Sequence, residues 1–168
     1  MKTKVDYYVK KLGLKEHPEG GYFKEVYRSS EKIKKDNLTS KFNGDRNIST
    51  SIYFLLVGDN ISYFHKIKSD EIWHFYDGST LRIYTIKNNG ELNIDLLGRN
   101  INYGEKLQVI IKKGNWFCAE IINKKNFGLV GCTVSPGFDF EDFTLAKRGQ
   151  LLKKYPSHKK IIERFTKV

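Results

Sequence analysis

The chain is poor in the residues that would tie it to an oxidising compartment or to a membrane. Only two of its 168 residues are cysteine, Cys118 and Cys132, and only one is methionine. The cysteines have no CxxC spacing and no paired histidines, and both lie inside apolar runs, so two reduced, buried thiols are expected, in a cytoplasmic setting. No run of 18 apolar residues occurs, and Met1-Lys2-Thr3-Lys4-Val5-Asp6 lacks an apolar signal core, which predicts neither a membrane span nor export. Linkers and internal repeats are also lacking, so residues 1–168 are expected to form one domain. With 39% hydrophobic and 14% aromatic residues, the composition excludes disorder.

Acidic residues are in deficit, 19 against 30 Lys and Arg, leaving a net charge of +11. The surplus is mostly lysine and is spread along the chain, which argues against nucleic acid as a partner. Its densest region runs from Glu141, with eight basic residues against three acids, and reads as helices with a solvated lysine face.

Val5, Tyr8, Val9 and Leu12 have helical spacing, with Thr3 as a possible cap and Gly13 as the stop. His17-Pro18-Glu19-Gly20-Gly21 is a turn leading into a strand, Tyr22 to Ser29, where Phe23, Glu25 and Tyr27 share a face. Glu31 to Asn47 is polar and lysine-rich and reads as a long mobile loop. Eight further strands are expected at 48–57, 61–67, 71–77, 81–86, 92–97, 107–111, 116–122 and 127–134, with Asn88-Asn89-Gly90 as a hairpin turn. Nine short strands at this spacing predict an all-β sandwich or barrel, with helices packed outside its sheets.

Within the 71–77 strand Glu71, Trp73 and Phe75 share one face, and Ile72, His74 and Tyr76 the other. A carboxylate beside two large aromatics is costly unless it is paired, neutral or at a wet rim. Glu71 and His65 are therefore a candidate catalytic pair, the carboxylate holding the imidazole in its proton-accepting tautomer. On that reading His65→Ala leaves stability nearly unchanged. Phe23, Glu25, Trp73, Gln108 and Trp116 are candidate ligand-binding residues around the same cavity. The competing readings are a core histidine, core tryptophans and an edge strand with polar teeth. His17, Arg28 and His74 are expected in turns or on the outer face, and Asp139, Glu141 and Asp142 at a solvated helix start.

Leu14, His17-Pro18-Glu19-Gly20-Gly21-Tyr22-Phe23-Lys24-Glu25, Tyr27-Arg28-Ser29, Phe64-His65, Asp70-Glu71-Ile72-Trp73-His74, Gly78, Gln108, Gly114-Asn115-Trp116-Phe117 and Thr133-Val134-Ser135-Pro136-Gly137-Phe138 run almost the length of the chain. In this order they resemble the fifth cupin family, long catalogued as a domain of unknown function. The resemblance implies a jelly-roll barrel (the cupin double-stranded β-helix) with peripheral N- and C-terminal helices, a homodimer, and no established reaction. His65, Glu71 and Gly78 match the first cupin motif, but Ile67 and Phe117 stand where two further metal ligands would be, so neither a metal nor another cofactor is expected.

Phe23-Lys24-Glu25 and His65 also resemble the Phe-x-Glu strand and base histidine of the metal-free nucleotide-sugar 3,5-epimerases. That similarity implies a small polar metabolite in the barrel, a sugar or nucleotide-sugar, and an isomerase or epimerase if the protein is an enzyme. The alternatives are a non-catalytic binding or sensing module and a metal-dependent enzyme. The semi-apolar outer face of Ile72, His74 and Tyr76 is the expected dimer contact.

Overall fold

The computed structural model describes residues 2–167. Helix α1 (Lys2–Leu12) opens the chain. The strands are β1 (Lys15–Glu16), β2 (Tyr22–Arg28), β3 (Lys32–Ile33), β4 (Arg46–Asn47), β5 (Thr50–Val57), β6 (Ile61–Lys66), β7 (Asp70–Gly78), β8 (Leu81–Ile86), β9 (Leu92–Leu97), β10 (Gln108–Ile111), β11 (Trp116–Ile121), β12 (Phe127–Ser135) and β13 (Thr144–Leu145). Helices α2 (Arg148–Lys154) and α3 (Lys159–Arg164) close it. All nine expected strands form within two residues of their expected bounds. Thr3 lies inside α1 rather than at its start, and its side chain is outside the described residues.

Two sheets carry the fold, in the strand orders β1-β2-β5-β12-β7-β10 and β13-β6-β11-β8-β9, and β3 and β4 pair separately. Every ladder between these strands is antiparallel. From β5 to β8 and again from β9 to β12 the chain changes sheet at each connection, which rolls the two sheets into one barrel. Period-2 alternation fills the space between them: Phe54, Leu56, Trp73, Ile83, Val109, Phe117, Val130 and Cys132 meet there.

The helices lie outside the sheets. Val5, Tyr8, Val9 and Leu12 of α1 pack with Leu55, Phe127 and Leu129. Leu151, Tyr155, Ile162 and Phe165 cover Phe64, Tyr84, Ile86 and Cys118 on the other sheet. Both cysteines are buried and free.

The 31–47 segment is not a loose loop. Strands β3 and β4 pair within it, and Phe42 and Arg46 are buried. The cause is Arg46, whose Nε donates to Asp142 Oδ2 at 2.6 Å and whose Nη2 donates to Asp142 Oδ1 at 2.8 Å. A bidentate buried pair of this kind holds two segments nearly 100 residues apart, so Asp142 is an anchor and not part of a solvated helix start.

Gly20 and Gly21 sit at φ +101° and +75°, where side-chain-bearing residues are strained. At Gly20 a Cβ would lie 2.1 Å from the backbone oxygen of Ile61, so the 17–21 turn is pressed onto β6. The Tyr63 amide donating to the Glu19 carbonyl at 2.7 Å fastens it there. Gly20→Ala should cost about 2 kcal/mol or more of stability, from positive φ and backbone overlap together, measured by urea denaturation.

Candidate functional site

The turn pressed onto β6 delivers Glu19 into the barrel. Its carboxylate is buried; Oε1 accepts from the Ser62 hydroxyl at 2.9 Å and Oε2 lies 2.9 Å from His65 Nε2. His65 Nδ1 lies 2.7 Å from the Tyr63 carbonyl oxygen. With Glu19 ionised, a carbonyl and a carboxylate both only accept, so each ring nitrogen of His65 donates. The ring is therefore an imidazolium ion-paired with Glu19. Burial works against that charge, but the charge and hydrogen bond of Glu19 outweigh it and raise the His65 pKa above the ordinary histidine value. Burial likewise opposes ionisation of Glu19, and the charge of His65 overcomes it, leaving the Glu19 pKa below normal.

His65 is walled by Phe117, at 4.0 Å between ring centroids, and by Phe143 at 5.4 Å. His17 stands edge-on to Phe23 at 4.5 Å and accepts at Nδ1 from the Glu19 amide at 3.3 Å. Burial lowers its pKa, so this ring is neutral.

Glu71 is the other carboxyl group of the deep end. It is buried beside Cys132, and its Oε1 accepts from the indole N–H of Trp73 at 2.9 Å. Burial is the largest influence on it; the Glu19 charge adds, the His65 charge and the Trp73 hydrogen bond oppose, and the net effect raises its pKa from 4.5 to about 7. Glu71, His65, Glu19, His17, Phe23 and Cys132 surround a cavity of about 50 Å³, with Glu25 and Phe138 also on its wall. That space admits only a few heavy atoms, far less than the ~300–1,000 Å³ of a drug-sized site. At the rim Arg28 is bound bidentately by Glu25, at 2.7 and 3.0 Å, and donates to Asn47 and to the Phe138 carbonyl.

Of the residues expected here, His65, Glu71, Phe23 and Glu25 line this cavity, and Trp73 stands behind Glu71 in the core. Gln108 and Trp116 do not reach it. On β10 the inward residues are Val109 and Ile111; Gln108 lies exposed on the outer face, bonded to His74 Nδ1 at 3.1 Å. On β11 Phe117 points in, and Trp116 packs outward against the C-terminal helices with the Lys66 ammonium 4.7 Å from its ring. The partner of His65 is Glu19 and not Glu71, and the doubly donating ring is not in the proton-accepting tautomer. His65→Ala would leave a buried Glu19 carboxylate unpaired, so stability would fall rather than stay level. His17 does lie in the turn, as expected, but its ring is drawn from there into the site.

Glu19 and His17 went unrecognised as site residues because they sit in a turn. The signal that could have marked them is the Gly20-Gly21 pair directly after an acid, a sign of close backbone approach.

The donor set does not suit the metal that many cupins carry. His65 Nε2 is engaged by Glu19, Ile67 and Phe117 offer no ligand atoms, and among the described residues no three His, Cys, Asp or Glu side chains converge as ligands.

Comparison with known proteins agrees with this barrel. Residues 6–146 match a family profile described as "Cupin superfamily (DUF985)". The chain belongs to this cupin family. An uncharacterized protein of Saccharomyces cerevisiae, YML079W, is 32% identical over 149 residues, covering 83% of this chain and 74% of the yeast protein. A crystal structure of protein SO0799 from Shewanella oneidensis is 39% identical with a TM-score of 0.86, covering 97% of each chain. A hypothetical protein from Leishmania major is 30% identical with a TM-score of 0.89, over 98% of this chain and 99% of that one. These likenesses carry the cupin fold and no named activity.

A carboxyl whose folded pKa of about 7 exceeds its unfolded 4.5 keeps a proton that the unfolded chain releases, so its contribution favours folding at low pH and is lost as pH rises from about 4.5 to about 7. Glu71→Gln mimics the protonated form. The variant should melt close to the wild type at pH 5 and several degrees above it at pH 8, as followed by circular dichroism.

Proposed function

We propose that this cupin binds the uncharged end of a small sugar-like metabolite and that Glu71 exchanges a proton with it. The observation that carries the reading is that both nitrogens of His65 face fixed acceptors, leaving Glu71 as the carboxyl at the cavity free to take up and return a proton. Glu19 and His65 cancel each other's charge, so no unpaired cation awaits a carboxylate or phosphate in the deep end. A hydroxyl or carbonyl suits it better.

The chemistry that fits is a proton shift beside a carbonyl. Glu71 as carboxylate takes the proton from the carbon next to the carbonyl, and the electron pair moves to the carbonyl oxygen as an enolate. The proton of the hydroxyl on the deprotonated carbon passes to that oxygen, and Glu71 returns its own proton to the former carbonyl carbon as the new carbonyl forms. One mobile group on one face supports isomerisation better than epimerisation, which needs a second donor opposite. Cys132 is a poor candidate for that, since burial drives its thiol pKa well above normal.

The test uses dihydroxyacetone, an uncharged hydroxyketone, in deuterium oxide, with exchange read by proton NMR. Wild-type protein should catalyse exchange, and Glu71→Gln should lower it about 100-fold or more while the fold is kept. Binding of the probe without exchange would make the barrel a sensing or storage module. Neither binding nor exchange, across uncharged hydroxyketones and aldoses, would refute the reading.

We also propose that the protein pairs with a second copy through the outer face of the β7 and β10 edge. Tyr76, Leu107 and Ile110 are each about half exposed there, around the His74–Gln108 contact, and β10 ends its sheet. Light scattering at micromolar concentration should give the dimer mass, and Ile110→Asp should give the monomer; a wild-type monomer would contradict it.

A further inference from the structure

In the sequence the surplus positive charge is densest in the C-terminal region. A second concentration appears elsewhere. Lys41, from the segment before β4, Lys66 and Lys68, from the β6–β7 corner, and Lys113, from the β10–β11 turn, surround a concavity of about 440 Å³, with Asn88 and Thr144 completing its polar lining. Positions so far apart in the chain meet because the Gly114 amide donates to the Ile67 carbonyl at 2.9 Å, closing the β10–β11 turn onto the corner.

Counter-charge is short. Asp142 is the acid on the lining, and it is already engaged by two bonds from Arg46 and by Lys68 at 3.1 Å. Lys66 is held over the Trp116 ring, which gives that outward tryptophan a role. The ammonium groups of Lys41 and Lys113 meet no carboxylate among the described residues. Like charges around a concave wall repel one another and raise the potential inside it, an arrangement an anion relieves. Ile67 and the 142–144 segment separate this space from the barrel cavity, so the two sites are distinct.

We propose that this concavity binds the phosphate groups of a small metabolite bearing a diphosphate or longer chain. Lysine serves phosphate as a point charge, and three of these four, Lys41, Lys66 and Lys113, meet no carboxylate among the described residues, more positive charge than one phosphate dianion balances. A nucleic-acid backbone would call for a stripe of basic residues along a face, whereas these converge on one hollow.

Inorganic pyrophosphate is the probe, titrated into isotope-labelled protein at low salt and followed by NMR. Saturable shifts are expected at residues 66–68 and 112–114. The double variant Lys41→Ala/Lys113→Ala should weaken binding about tenfold or more, and Lys153→Ala/Lys160→Ala, the same charge loss on exposed positions of the C-terminal region, should leave it within about twofold. Inorganic phosphate should bind more weakly than pyrophosphate. The proposal fails if no saturable shift appears, if both double variants weaken binding equally, or if phosphate binds as tightly as pyrophosphate. Melting curves of both variants establish that the comparison is between folded proteins.

Discussion

The ion pair between Glu19 and His65 governs the rest of the site. Taking two charges out of water is costly, and such a pair persists only where every remaining donor and acceptor is met. Here Ser62 satisfies the other carboxylate oxygen and the Tyr63 carbonyl takes the second ring proton. That requirement dictates the local backbone. The turn carrying Glu19 must lie against β6, and Gly20 is the residue that permits it, because the Ile61 carbonyl occupies the place of a side chain.

With His65 and Glu19 committed to each other, the polarity of the cavity falls to Glu71. It sits among Phe23, Ile52, Phe143, Val134 and Cys132, a lining with little to solvate a carboxylate beyond the Trp73 indole. Burial then places its proton loss near neutrality. The aromatic wall is itself held from a distance: Phe138 and Phe143 flank the short helical turn Phe140–Asp142, which Arg46 grips through Asp142. A buried contact away from the cavity thereby holds two of the aromatic side chains that line it.

The barrel was legible in the sequence because its long strands alternate and its turns carry Gly and Asn in recognisable places. Strands β1, β3, β4 and β13 were not, since a two-residue strand exists only through its tertiary partner. Glu71 was legible as an acid out of keeping with Trp73. Gln108 and Trp116 were misplaced for a physical reason. Each begins a strand after a turn; β10 carries apolar residues on both faces although it buries one, and β11 buries both, so alternation does not say which way the first residue points. Glu19 was illegible because its partner lies 46 residues away on another strand, and a turn residue shows no periodicity to place it.

The state of His65 decides the account most directly. Long-range nitrogen–proton correlation NMR of selectively labelled histidine reports the protonation of each ring nitrogen. At pH 7 the account predicts that His65 carries protons on both nitrogens, that His17 carries one, and that His65 becomes less stable in this form when Glu19 is replaced by Gln. A neutral His65 with one bare nitrogen at pH 7 in the wild-type protein would contradict it and return the role of base to the histidine.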